Sequence, residues 1–161
     1  MFMYFADLTP CSYNIPEPQG LSVGWLDKSH DFPRGVIPDG FVERLLELCK
    51  TPAVRHRGFH VCELCDFEYD PTFELQRAAG ALSSVVIRVT GSDEQVYYSP
   101  AMICHYIAKH GYRPPEDFVR AVMETDSTMW PNQSPDPTAV GAMGPLSRAA
   151  LSVRRWLSFF R

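Results

Sequence analysis

Apolar and polar positions change their rhythm several times along this chain, and each change predicts an element. Phe41, Leu45, Leu48 and Cys49 recur at three- and four-residue spacing, with Glu43 and Glu47 on the opposite side. That is the period of an amphipathic helix, with Asp39 expected as its N-cap and Lys50 near its end. Ser84 to Thr90 is rich in β-branched residues and reads as a strand. Gly91-Ser92-Asp93 makes a turn, and Gln95 to Tyr98 returns as the second strand of a hairpin.

Ser99-Pro100 then predicts a helix start, with serine as cap and proline at the first helical position. Ala101, Ile103, Cys104 and Ile107 form the inner face of that helix, and Gly111 marks its left-handed stop. A further helix is expected from about Pro115 to Glu124, facing Phe118, Val119 and Val122 inward.

Upstream of residue 40 the pattern is broken by prolines and glycines. Only short extended pieces fit there, Met3 to Ala6 and Leu21 to Leu26, with Trp25, Leu26 and Phe32 as anchors on the core. The segment from Arg57 to Cys62 reads as short and extended, running into Glu63-Leu64-Cys65. The fold class expected is α+β: a small antiparallel sheet with two to three helices around a zinc-knuckle or treble-clef-like site, plus a C-terminal amphipathic helix. The expected organisation is a zinc-binding domain over 1–125, a Pro/Ser/Gly-rich linker over 126–145 and a basic helix over 146–161.

Composition narrows the class. The chain is 45% hydrophobic and 21% charged over 161 residues, enough apolar material for a core without disulfides. The net charge of −4 argues against a protein that grips nucleic acid backbone. The predicted helix from Pro100 to His110 offers only Lys109 to such a partner. The N-terminus lacks a basic region and a long apolar run, so no signal peptide is expected. No window approaches the roughly 18 apolar residues of a membrane span. A cytoplasmic protein is the expectation, and there five cysteines suggest metal binding and buried thiols rather than disulfides.

The candidate chemistry lies in two pairs. Cys62 and Cys65 form a Cys-x-x-Cys turn, and His105 and His110 sit at the end of the predicted helix. Thiolate and imidazole are what a tetrahedral zinc ion takes. Histidines five apart do not share a helix face, so their convergence requires a loosened last turn before Gly111. His60 is the named substitute, as an alternative ligand or as a hydrogen-bonding support to one. Reduced cysteines and ordinary histidines are the competing reading. Cys104 is read as core, and Cys11 and Cys49 lack the neighbours of a nucleophile. Four available ligands favour one structural Zn2+ over a catalytic one, with no catalytic residues assigned.

Several segments together resemble a family of uncharacterised bacterial proteins. They are Gly24-Trp25-Leu26-Asp27, Phe32-Pro33-x-Gly35, Gly58-Phe59-His60-x-Cys62-x-x-Cys65, and His105-Tyr106 through His110, Tyr112, Pro114-Pro115 and Phe118. The resemblance covers roughly residues 20–125 and implies one compact unit holding both ligand pairs. It departs from the family pattern between Cys65 and Val85, where a glycine-rich turn is more usual. It implies no activity.

Residues 146–161 carry an apolar stripe of Leu146, Ala150, Val153, Leu157 and Phe160, broadened by Trp156, with Arg148, Arg154, Arg155 and Arg161 mostly elsewhere. Docking on the chain's own acidic domain is the first reading of this tail. Grip on a partner through Arg148, Arg154, Arg155 and Trp156, or peripheral membrane contact, is the second. The leading functional expectation is a non-enzymatic, zinc-stabilised protein-interaction module, regulatory or toxin-neutralising, with another protein as partner. The alternative is a zinc-dependent hydrolase or nucleic-acid-modifying enzyme using His60 and an open metal position. The pattern assigns no oligomeric state.

Overall fold

The computed structural model describes residues 4–13, 19–50, 52–55, 62–65 and 85–125. Among the described residues, four strands and three helices make an α+β fold: β1 (Leu21–Ser22), α1 (Phe41–Leu48), β2 (Val54–Arg55), β3 (Val85–Thr90), β4 (Val96–Pro100), α2 (Ile103–His110) and α3 (Glu116–Glu124). The sheet order is β1-β4-β3-β2. The hairpin is present, closed by Gly91 N–H donating to the Gln95 carbonyl at 2.8 Å. The sheet is mixed rather than wholly antiparallel, because β1 runs parallel to β4. Neither β1 nor β2 is long enough to show a period in the sequence.

Both faces of the sheet are covered, which is why β3 reads as a nearly continuous apolar run. Val85, Ile87, Val89 and Tyr97 point toward the helices and join Phe41, Leu45, Ile103, Cys104, Ile107, Phe118 and Val122 in the main core. Val86, Val96 and Tyr98 point the other way, against Cys11 and Trp25. The N-terminal segment is therefore a cover for the second face, stitched on by the Phe5–Trp25 and Pro10–Leu21 bridges. Leu26 and Phe32 pack against the main core as expected.

Two predicted helix starts are corrected. Ser99 and Pro100 belong to β4, paired with Ile87 and Val86, and Ala101 N–H donates to the Val85 carbonyl. The sheet ladder takes the backbone groups that a cap would have used, so α2 begins only at Ile103 after a turn. For α1 the cap is Gly40, not Asp39. Gly40 has φ 79°, a left-handed conformation suited to glycine, and Phe41 N–H donates to the Pro38 carbonyl instead of to a side chain.

Gly24 is required for a different reason. Its φ is 74°, and a Cβ there would lie 2.9 Å from Cδ1 of Ile103, the first residue of α2. Gly24→Ala combines backbone strain with overpacking, and should cost roughly 2–3 kcal/mol. The midpoint of urea unfolding would report it. A neutral result would mean that α2 shifts freely against the N-terminal segment.

Candidate metal centre

Two elements meet at the site. Cys62 and Cys65 flank a tight turn at Glu63-Leu64, and the backbone N–H groups of Leu64 and Cys65 donate to the Cys62 sulfur. This is the local reason for the Cys-x-x-Cys spacing: the turn that brings the second thiol round also aims amides at the first.

His105 and His110 come from α2. The α-helix keeps its regular form through His110 and widens only beyond it, so the two histidines converge without the loosened last turn that their spacing predicted. Gly111, at φ 67°, sends its N–H to both the Ile107 and Tyr106 carbonyls, and Tyr112 N–H closes on the Tyr106 carbonyl at 3.1 Å. That is wider than an α-helical turn. The imidazole rings meet edge to face at 5.1 Å. The Tyr106 ring stands 6.0 Å from His105 and 6.4 Å from His110, and its hydroxyl donates to the Leu26 carbonyl at 3.4 Å. Arg34 steadies the same helix end from outside, its Nε donating to the His110 carbonyl at 3.2 Å while its guanidinium lies 4.3 Å over the Phe32 ring.

The four ligand atoms converge. Sγ of Cys62 is 3.3 Å from Nε2 of His110, and Sγ of Cys65 is 3.3 Å from Nε2 of His105 and 3.4 Å from Nε2 of His110. The two Nε2 atoms are 3.2 Å apart. All four atoms lie within 4.8 Å of one another, close enough to hold a metal ion. His60 lies outside the described residues, and so do the linker over 126–145 and the tail carrying Arg148, Arg154, Arg155 and Trp156.

Burial shapes the protonation of these groups. It pushes the Cys62 thiol up to about 12, reinforced by Cys65. It pulls His105 down to about 4, with His110 and then Lys109 adding to the effect. His110 is lowered too, first by burial and then by Lys109 and Arg34. Both imidazoles therefore present lone pairs at neutral pH. Cys62 becomes a thiolate only when a cation takes the place of its proton.

Asp7 was not legible in the sequence as a supporting residue. Its Oδ2 accepts from the Tyr112 hydroxyl at 2.7 Å and its Oδ1 from Gly24 N–H at 2.8 Å. Tyr112 follows Gly111 directly, so this carboxylate ties the N-terminal cover to the end of the histidine helix.

Fold and site together define an α+β domain with a two-cysteine, two-histidine cluster able to hold a metal ion. The chain belongs to the DUF7919 family, a domain of unknown function, which matches residues 3–123. This agrees with the expectation of an uncharacterised family. No curated protein and no solved structure matches the chain. Among the described residues no helix is long and apolar enough to cross a membrane.

Proposed function

We propose that Cys62, Cys65, His105 and His110 hold one structural zinc ion, and that the domain so stabilised is a non-enzymatic protein-interaction module. One observation carries the metal reading. Zinc bonds of about 2.3 Å to sulfur and about 2.0–2.1 Å to nitrogen, at tetrahedral angles, separate two nitrogens by about 3.3–3.4 Å and a sulfur from a nitrogen by about 3.5–3.6 Å. The N···N distance of 3.2 Å and the S···N distances of 3.3–3.4 Å follow that pattern closely. A ligand set of two thiolates and two imidazoles in a tetrahedron selects zinc among common divalent ions.

Four protein ligands complete the coordination, which supports a structural role over a catalytic one. The set is complete without His60, so the hydrolase alternative would need one of the four to give way. An acidic chain of this size suits recognition of a basic protein, and a regulatory or toxin-neutralising role fits that chemistry. The acidic and aromatic run Asp66 to Asp70 is a candidate contact.

Metal loading should depend on pH in a definite direction. Metal-free Cys62 is protonated at neutral pH, with its thiol raised to about 12, and must release that proton on binding. His105, held down to about 4, is already neutral. Binding therefore releases protons, and affinity should rise at least about tenfold per pH unit between about pH 5 and 8. Competition with a chelator of known pH response measures this. A flat profile would contradict thiolate ligation.

The interaction reading is tested by affinity capture with the full chain and with residues 146–161 removed. A protein partner retained by the full chain is expected. Loss on truncation assigns the contact to Arg148, Arg154, Arg155 and Trp156; retention assigns it to the domain body. A hydrolytic activity abolished in a still-folded Cys62→Ser variant would replace this reading with the enzymatic one.

A further inference from the structure

Resting on the zinc reading, we infer that this centre is also a site of reversible oxidation, at which a hydroperoxide joins Cys62 to Cys65 and expels the metal. The two sulfurs lie within 4.8 Å of each other, across a turn of two residues. Their burial differs: Cys62 is buried and Cys65 is partly exposed. Cys65 is thus the sulfur an oxidant in solution reaches first, and Cys62 is the sheltered partner beside it.

The remaining thiols differ in exposure, although Cys49 and Cys104 also neighbour each other. Cys11, Cys49 and Cys104 are buried, with Cys11 against Trp25 on the far face of the sheet and the other two inside the main core. The molecule therefore carries one accessible cysteine beside a resolving cysteine, and three sheltered ones that act as internal controls.

The chemistry balances with the hydroperoxide alone. The Cys65 thiolate attacks the terminal peroxide oxygen. An S–O bond forms, the O–O bond breaks, and hydroxide leaves for hydrogen peroxide and takes a proton to become water. The Cys62 thiolate then attacks the Cys65 sulfur. The S–S bond forms, the S–O bond breaks, and a second hydroxide leaves and is protonated. The two sulfurs lose two electrons in total and the peroxide gains them. With both thiolates consumed, His105 and His110 alone hold the ion weakly, and it departs. A dithiol reductant reverses the disulfide and restores the site for reloading.

The test uses the full chain as purified, with its zinc content first measured by elemental analysis. Zinc-free protein at that stage would sink the zinc reading itself, and the inference with it. Given zinc, millimolar hydrogen peroxide is added and released ion is followed with a chromogenic chelator, while peptide mass spectrometry maps each cysteine. The expected result is one zinc released for every two thiols lost, a Cys62–Cys65 disulfide, untouched Cys11, Cys49 and Cys104, and full reloading after dithiothreitol and zinc.

Retention of zinc under peroxide would overturn the inference while leaving the structural zinc in place. Oxidation of Cys104 or Cys49 ahead of Cys65, or irreversible sulfonic acid at Cys65, would also overturn it. Diamide, a two-electron thiol oxidant lacking a peroxide bond, serves as a second probe. It should give the same disulfide and the same zinc release if the pairing of the two sulfurs is what expels the ion.

Discussion

Replacing Cys62 by serine should lower the melting midpoint by about 15 °C, corresponding to a loss of roughly 4–5 kcal/mol. The reason is that binding energy at a site absent from the unfolded chain is folding energy. In the proposed site the ion would tie residues 62–65 to α2, and α2 carries Ile103, Cys104, Tyr106 and Ile107 into the main core. Serine keeps the size of the side chain and removes the thiolate.

His105→Ala should behave alike, since it removes one nitrogen of the same proposed ligand set. Cys11→Ala is the control. It changes a buried cysteine in the other cluster and should cost only about 1 kcal/mol. A strong zinc chelator should destabilise the wild type and leave Cys62→Ser almost unaffected. If the chelator destabilises neither, the four groups are held together by hydrogen bonds and not by a metal.

The second large effect is expected far in sequence from the cysteine–histidine cluster. Asp7→Ala should cost about 3 kcal/mol, because hydrogen bonds to a charged acceptor contribute roughly 1.5–3 kcal/mol each and two are lost. One comes from Tyr112 and one from Gly24 N–H. Tyr112 is fully buried. Burial, then the charge of Asp7, pushes its phenol well above the usual tyrosine range, so it remains a neutral donor at any physiological pH. Without Asp7 that hydroxyl is left in the core without its partner.

Tyr112→Phe removes the donor as well as the bond and should cost only about 1 kcal/mol. The double variant should be less destabilised than the two single costs added together, since both remove the same contact. Chemical denaturation of the four proteins measures this. Zinc stoichiometry should stay at one per chain throughout. Strict additivity would mean that Asp7 acts through Gly24 alone.

Residues differed in how far their roles could be read in the sequence. The cluster of Cys62, Cys65, His105 and His110 was legible because each pair is close in the chain and metal chemistry fixes which residue types could serve. Gly111 was legible because glycine readily takes the left-handed conformation in which α2 ends. The inner face of α2 and the β3–β4 hairpin followed from periodicity.

Ser99-Pro100 was misread because serine before proline is equally compatible with a helix cap and with the end of a strand. What decides between them is Ala101 N–H reaching Val85, a partner sixteen residues back that no local pattern reveals. Gly40 displaced Asp39 for a similar reason, since the Pro38 carbonyl was available to the first helical N–H. Asp7 and Tyr112 are 105 residues apart, and a single aspartate in a turn-rich segment carries no mark of such a partner. The parallel pairing of β1 rests on two residues, Leu21 and Ser22, opposite Tyr97 and Tyr98, too few to give an alternation.

In the proposed site two sulfurs and two nitrogens of this chain surround one zinc ion. X-ray absorption at the zinc edge of the purified protein tests it most directly. Two sulfur scatterers at about 2.3 Å and two imidazole nitrogens at about 2.0–2.1 Å are expected, with no coordinated water. A shell dominated by oxygen and nitrogen, fewer than two sulfurs, or a protein that carries no zinc would contradict it.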